Sequence, residues 1–130
     1  MMVVDTSALM AIVRGEPEAE ACREAIGAEQ EILIAAPNLA EALIVAGGRE
    51  LHGEMARLLS DLAMDVAPVN EAAAYAAVRT YFSWGKGFHK AKLNFGDCFA
   101  YALAKEHDCP LLFVGDDFAR TDVKRASSPA

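Results

Sequence analysis

A chain of 130 residues, 54% hydrophobic and 24% charged, matches one compact domain in size and make-up and excludes disordered and fibrous classes. No apolar run approaches the roughly 20 residues that cross a bilayer, and residues 1–13 lack a basic n-region and are broken by Asp5, so neither a membrane span nor a cleaved signal peptide is expected. Cys22, Cys98 and Cys109 form no C-x-x-C pair, which fits reduced thiols in a cytoplasmic protein.

Val3 and Val4 read as a short buried strand, followed by a helix with Leu9, Ile12 and Val13 on one face. Gly15 stops that helix, and Pro17 suits the first turn of another that runs to about Gly27. Residues 32–36 form the second strand candidate; Pro37 and Asn38 open a helix that Gly47 and Gly48 end. Leu51, Met55, Leu58, Leu59 and Leu62 recur at helical spacing within residues 51–64. Residues 66–69 are a third strand, which Pro68 assigns to an edge or a strand end. Asn70 is the expected N-cap of a helix from Glu71 to about Phe82. A glycine-containing loop spans residues 84–95, Asp97 is expected to cap a helix running to about Glu106, and residues 111–114 are the last strand. Such β-α alternation predicts a three-layer α/β/α sandwich around a central parallel sheet of about four to five strands. No repeat or linker divides residues 1–130, and the tail from about Asp122 is expected to fray.

Four carboxylates stand at the ends of apolar stretches: Asp5 after the first strand, Glu41 one turn into its helix, Asp97 at a helix start and Asp116 after the last strand. In an open parallel sheet, ligands bind beyond the carboxyl ends of the strands, where all four would converge. Uncompensated carboxylates raise each other's pKa, so such a cluster implies a bound cation, and Mg²⁺ or Mn²⁺ suits all-oxygen ligation. Phosphodiester hydrolysis uses that chemistry, and no Cys-His or Ser-His-Asp arrangement offers a protein nucleophile instead. Helix capping is the competing explanation for Asp5 and Asp97, and it is compatible with ligation. Glu41 interrupts the run Leu39-Ala40-Glu41-Ala42-Leu43, where an unpaired buried charge would be expensive. Thr6 and Ser7 have hydroxyls for a second shell around the acids, or for capping.

The strings Val3-Val4-Asp5-Thr6-Ser7, Asn94-Phe95-Gly96-Asp97-Cys98 and Val114-Gly115-Asp116-Asp117-Phe118, with Glu41 in its alanine-rich helix, resemble the PIN-domain family. They are most similar to the VapC toxins of bacterial VapBC toxin–antitoxin pairs, and the likeness extends through Leu103-Ala104-Lys105 and residues 117–122. The resemblance implies a Mg²⁺- or Mn²⁺-dependent endoribonuclease, a homodimer held inactive by a cognate VapB-like antitoxin that also binds operator DNA. It also implies that Asp5 and Asp97 bind the principal metal while Glu41 and Asp116 complete the site or orient the attacking water. Asp117 competes with Asp116 for the fourth place, or else caps the next turn or acts as an outer ligand. A phosphatase with Asp5 as nucleophile is disfavoured, because Ser7 stands where haloacid-dehalogenase-like enzymes carry a second Asp. A catalytically silent PIN-like binding module is the other rival.

A net charge of −7 argues at first against an RNA partner. Between Glu71 and Asp97, however, no acidic residue occurs, while Arg79, Lys86, His89, Lys90 and Lys92 fall there. The stretch 84–92 mixes these cations with Trp84 and Phe88, as a loop that holds RNA phosphates and stacks a base would. A solvated loop with Trp84 tucked into the core explains it equally well. Met55, Leu58, Leu59 and Leu62, with apolar positions on the first two helices, read first as core and secondly as a groove for a partner helix.

Overall fold

A computed structural model describes residues 1–126 of the chain. Its sheet has four strands, β1 (Met2–Val4), β2 (Ile32–Ala35), β3 (Asp65–Ala67) and β4 (Leu111–Leu112), in the order β3-β2-β1-β4. Every pairing is parallel, with Val3 opposite Leu33 on one side and Leu111 on the other. Six helices connect them: α1 (Thr6–Arg14), α2 (Ala19–Gly27), α3 (Ala36–Gly47), α4 (His52–Leu62), α5 (Glu71–Trp84) and α6 (Phe95–Glu106).

Strand alternation divides the interior into two cores that share the one sheet. Met2, Val4, Ile34 and Leu112 pack with Leu9 and Ile12 of α1, Ala42 of α3 and Met55 of α4. Val3, Leu33, Ala35 and Leu111 pack on the other face with Ala77 of α5 and Cys98, Ala100 and Leu103 of α6. The result is the expected three-layer sandwich. Leu58, Leu59 and Leu62 are only partly buried against the first core, so they serve it without being enclosed by it.

Local chemistry explains most element boundaries. Asp5 caps α1 by accepting from the Ser7 N–H, and Gly15 ends the helix with φ +66°, a conformation glycine adopts without strain. Asn70 caps α5 through the Ala73 N–H. β3 lies at the sheet edge and ends just before Pro68, which cannot donate to a ladder.

Three expectations need correction. The cap of α6 is Asn94, whose side chain accepts from the Asp97 N–H. Asp97 is the third helical residue and returns the favour to the Asn94 N–H in a capping box. β4 is shorter than residues 111–114, because the Val114 N–H bonds the Ser7 hydroxyl rather than a strand, and Gly115 turns the chain with φ +106°. Finally, the tail does not fray at Asp122. Leu111 donates to the Lys124 carbonyl and accepts from the Ala126 N–H, extending the pairing beside β4, and Ala126 is buried. Asp122 accepts from the Tyr101 hydroxyl and from Lys105, and Trp84 Nε1 donates to the same hydroxyl. Residues 127–130 lie outside the described residues.

Tyr101 thus joins α5, α6 and the last described segment through one oxygen. Tyr101→Phe leaves the Trp84 donor and one Asp122 oxygen without that partner, and should cost about 1–2 kcal/mol in a urea unfolding titration.

Candidate functional site

The end of β1, the second turn of α3 and the first turn of α6 meet at the carboxyl edge of the sheet. Asp5 is 3% exposed; its Oδ2 accepts from the Ser7 N–H at 3.0 Å, whereas its Oδ1 is buried without a partner. The next residue, Thr6, donates to Glu41 Oε1 at 2.7 Å, reaching from α1 to α3. Asn38, fully buried, donates through Nδ2 to the Gly96 carbonyl at 3.0 Å and to Glu41 Oε1 at 3.4 Å. Glu41 lies so close to α6 that a Cβ on Gly96 would stand 2.7 Å from its Oε2. Asp97 follows directly, so Asp5, Glu41 and Asp97 lie near one another although 36 and 56 residues separate them along the chain.

Their oxygens do not close to ligand spacing. Among the described residues, no three His, Cys, Asp or Glu side chains stand in a position to hold one metal ion. The expected crowding of the carboxyl groups into one metal-sized volume is not seen among the described residues. The reason is physical: each acid turns one oxygen to a nearby donor, Asp5 to Ser7, Glu41 to Thr6 and Asn38, and Asp97 to the Asn94 N–H. Like charges with no cation between them gain more from these local donors than from facing one another.

The last acidic pair sits just past β4. Asp116 and Asp117 are both exposed, and Asp117 precedes a short 3₁₀ turn (Phe118–Arg120) without capping it through its side chain. The Asp117 charge is among those that raise the Asp97 carboxyl. Asn38 has a role beyond the helix start that its position predicts: an amide three residues before an acid inside Pro37-Asn38-Leu39-Ala40-Glu41 touches that acid on one helix face.

The segment between α5 and α6 combines both expected characters. Trp84 is half-buried against Tyr101 and His89, and the His89 Nδ1 accepts from the Ala91 N–H, so this histidine shapes its own loop. A Gly85–Leu93 bridge closes the loop, and a Cβ on Gly85 would strike the Tyr81 carbonyl and ring. Lys86, Lys90 and Lys92 point outward, and none forms an ion pair among the described residues. Two cavities lie apart from the acids. One of about 740 Å³ runs between α5 and α6; the other, about 240 Å³, is bounded by Ile12 and Val13 of α1, Arg23 of α2, and Arg57 and Leu58 of α4.

Burial is the main force acting on the acids' protonation. It raises the Asp5 carboxyl above its ordinary value, against the Ser7 hydrogen bonds that lower it, and the Glu41 charge adds to the rise. Burial also pushes Asp97 up to about 7; the Asn94 N–H opposes this, and the charges of Asp5, Asp117 and Glu41 reinforce it. In chemistry, though not in the spacing of its oxygens, the acid set suits a divalent cation: Asp5 Oδ1 is a buried acceptor without a donor, and among the described residues no ion pair involves Asp5, Glu41 or Asp97. The pH dependence follows. A carboxyl with a folded pKa near 7 and an ordinary unfolded value binds its proton more tightly in the folded state. Its contribution is therefore fullest at about pH 4 and below, and is lost as pH rises through about 7. In chelator-treated protein, wild-type stability relative to Asp97→Asn should fall across that window by up to about 1.4 kcal/mol per pH unit. Urea titrations at several pH values measure the difference, and a flat difference would contradict it.

Comparison with known proteins agrees with this arrangement. Residues 2–124 match the PIN domain family model. Ribonuclease VapC30 of Mycobacterium tuberculosis is 42% identical over 135 aligned positions, covering 98% of this chain and all of that one. In fold, the chain is similar to the crystal structure of M. tuberculosis VapC20, described as a sarcin-ricin loop cleaving toxin. The TM-score is 0.78 at 14% identity, with 99% of this chain and 100% of the other covered. It is also similar to a chain of a toxin–antitoxin complex from Klebsiella pneumoniae, with a TM-score of 0.71, 18% identity, and 94% and 93% of the two chains covered. A parallel α/β sandwich matched by the family model over residues 2–124, with 42% identity to a VapC ribonuclease along nearly its whole length, belongs to the PIN-domain family, among the VapC ribonucleases.

Proposed function

We propose that the crevice of Asp5, Glu41 and Asp97 hydrolyses RNA phosphodiester bonds with the help of a bound Mg²⁺ or Mn²⁺. The observation that carries this reading is the orphaned Asp5 Oδ1, a buried anionic oxygen left without a donor at the convergence of three acids. Asp5 and Asp97 hold the principal ion, Glu41 completes the set, and the fourth place falls to the 116–117 pair. When bound, the cation supplies an activated water and offsets the charge that develops on the phosphate. Within the protein, Ser7 and Thr6 orient Asp5 and Glu41, and Glu41 would complete the site or orient the attacking water. Burial keeps the Cys98 thiol protonated, with its pKa pushed up to about 12, so it offers no nucleophile. Ser7, standing where a phosphatase of that kind carries a second Asp, counts against the phosphatase reading.

The partners follow from the surface. Lys86, Lys90 and Lys92 lie on an acid-free segment that leads directly into α6, and they suit RNA phosphates. The groove among α1, α2 and α4 suits an amphipathic helix of a VapB-like antitoxin, with Leu58 and Ile12 as its apolar floor. An arginine from the same antitoxin would find the acid crevice. Tyr75, Val78 and Phe82 form an exposed stripe on α5, with Phe88 edge-on to Phe82, and this face suits a second copy of the chain. No helix among the described residues is long and apolar enough to cross a membrane, and the proposed site of action is the cytoplasm.

Cleavage of RNA by purified protein with Mg²⁺ or Mn²⁺, compared with Asp97→Asn, tests the reading. The amide keeps the oxygen that accepts from the Asn94 N–H but loses the anionic ligand, so the fold should persist while cleavage falls at least about 100-fold. Equal cleavage by the variant would refute the assignment. A wild-type chain that binds its antitoxin but cuts no RNA with either metal would favour the silent binding module.

A further inference from the structure

Glu41 is held from three sides, and none of those contacts is with another acid. The Thr6 hydroxyl donates to its Oε1 at 2.7 Å and the Asn38 amide to the same oxygen at 3.4 Å. The backbone of Gly96 forms the third side, close enough that a methyl group there would stand 2.7 Å from Oε2 and 3.1 Å from both Cδ and Oε1. Asn38 spans the contact, because the Nδ2 that faces Glu41 also donates to the Gly96 carbonyl at 3.0 Å. Both groups that it faces are acceptors, which fixes the amide with its NH₂ toward them. Its own Oδ1 is buried with no partner. An aliphatic side chain of this size would avoid that orphan, so filling space does not account for an amide at a fully buried position.

We propose that Asn38, together with the missing side chain of Gly96, is a positioning device that locks Glu41 against the first turn of α6 and so sets its spacing from Asp97. The inference rests on the proposed metal-dependent site. The packing of α3 on α6 fixes the separation of the two acids, and Glu41 does not have to find its place by rotamer choice alone. Gly96 is required for its lack of volume: its φ is not positive, so its backbone imposes no need for glycine. Alanine there favours the helix, and the atoms it would meet first are those of the Glu41 carboxylate.

Gly96→Ala therefore tests the device in a chain expected to fold at least as well as wild type, with Asn38→Leu as the second variant. Three measurements apply: the ¹³C resonance of the Glu41 carboxyl in chelator-treated protein, Mn²⁺ affinity by calorimetry, and RNA cleavage. The Glu41 resonance should move in both variants, and Mn²⁺ affinity should fall about 10-fold or more, the scale seen when a group supporting a ligand is removed. In a Glu41→Gln background, Gly96→Ala should cause little further loss, because the group it displaces no longer carries charge. An unmoved resonance, full Mn²⁺ affinity in Gly96→Ala, or a loss that adds undiminished to that of Glu41→Gln would overturn the proposal. The resonance is read without metal or RNA. If it moves in both variants while wild-type protein binds no Mn²⁺ and cuts no RNA, the lock stands as a structural device, and both the ribonuclease reading and the lock's service to a metal are overturned.

Discussion

Negative charge gathered at the carboxyl edge of the sheet, with no ion pair to meet it among the described residues, is the constraint around which this molecule is arranged. Asp5 is enclosed at the end of β1, and Asp97 feels the charges of Asp5, Asp117 and Glu41. The ion pairs of the described residues lie elsewhere, at Met1–Glu29, Lys105–Asp122 and Lys124–Asp108. A fold optimised for stability alone would not bury an acid and leave one of its oxygens without a donor, since an unpaired buried polar atom costs about 1–3 kcal/mol or more. The acids are tolerated because each has one oxygen satisfied locally, by the Ser7 N–H, by Thr6 with Asn38, and by the Asn94 N–H.

The scaffold holds these groups together through secondary structure rather than loops. Asp5 caps α1, Glu41 sits in the second turn of α3, and Asp97 belongs to the capping box of α6. Each role is structural and chemical at once, so the helix starts and the acid positions cannot drift independently. The Val114 N–H to Ser7 hydroxyl bond extends the same logic to the end of β4, tying the approach to Asp116 and Asp117 to the first turn of α1. Pairing of Leu111 with residues 124–126 then covers the side of β4 that would otherwise be an open sheet edge.

Much of this arrangement is legible in the amino-acid sequence, for identifiable reasons. Short apolar runs ending in acids, with helical periodicity between them, determine the parallel sandwich and the convergence of Asp5, Glu41 and Asp97. Boundaries set by long-range contacts are not legible. Nothing local distinguishes Asn94 from Asp97 as the cap of α6, because both side chains can accept and only the reciprocal geometry decides. The polar, charged tail from Asp122 reads as loose, yet backbone pairing with Leu111 and the Tyr101 hydroxyl hold it through Ala126, contacts that composition does not encode. Asn38 went unrecognised because helix-start chemistry already explained it, and its partner Gly96 is 58 residues away. Asp116 and Asp117 are adjacent and both exposed just after the turn at Gly115, so residue type alone does not choose between them.

The central claim is that the unpaired Asp5 oxygen belongs to a divalent cation. Anomalous diffraction from crystals soaked in Mn²⁺ tests it most directly. The account predicts a single strong peak in the crevice, bonded to Asp5 Oδ1 and to an Asp97 oxygen at about 2 Å, as hard-cation ligation requires. A crevice without such a peak at saturating Mn²⁺, or a peak that leaves Asp5 Oδ1 unpaired, would contradict it.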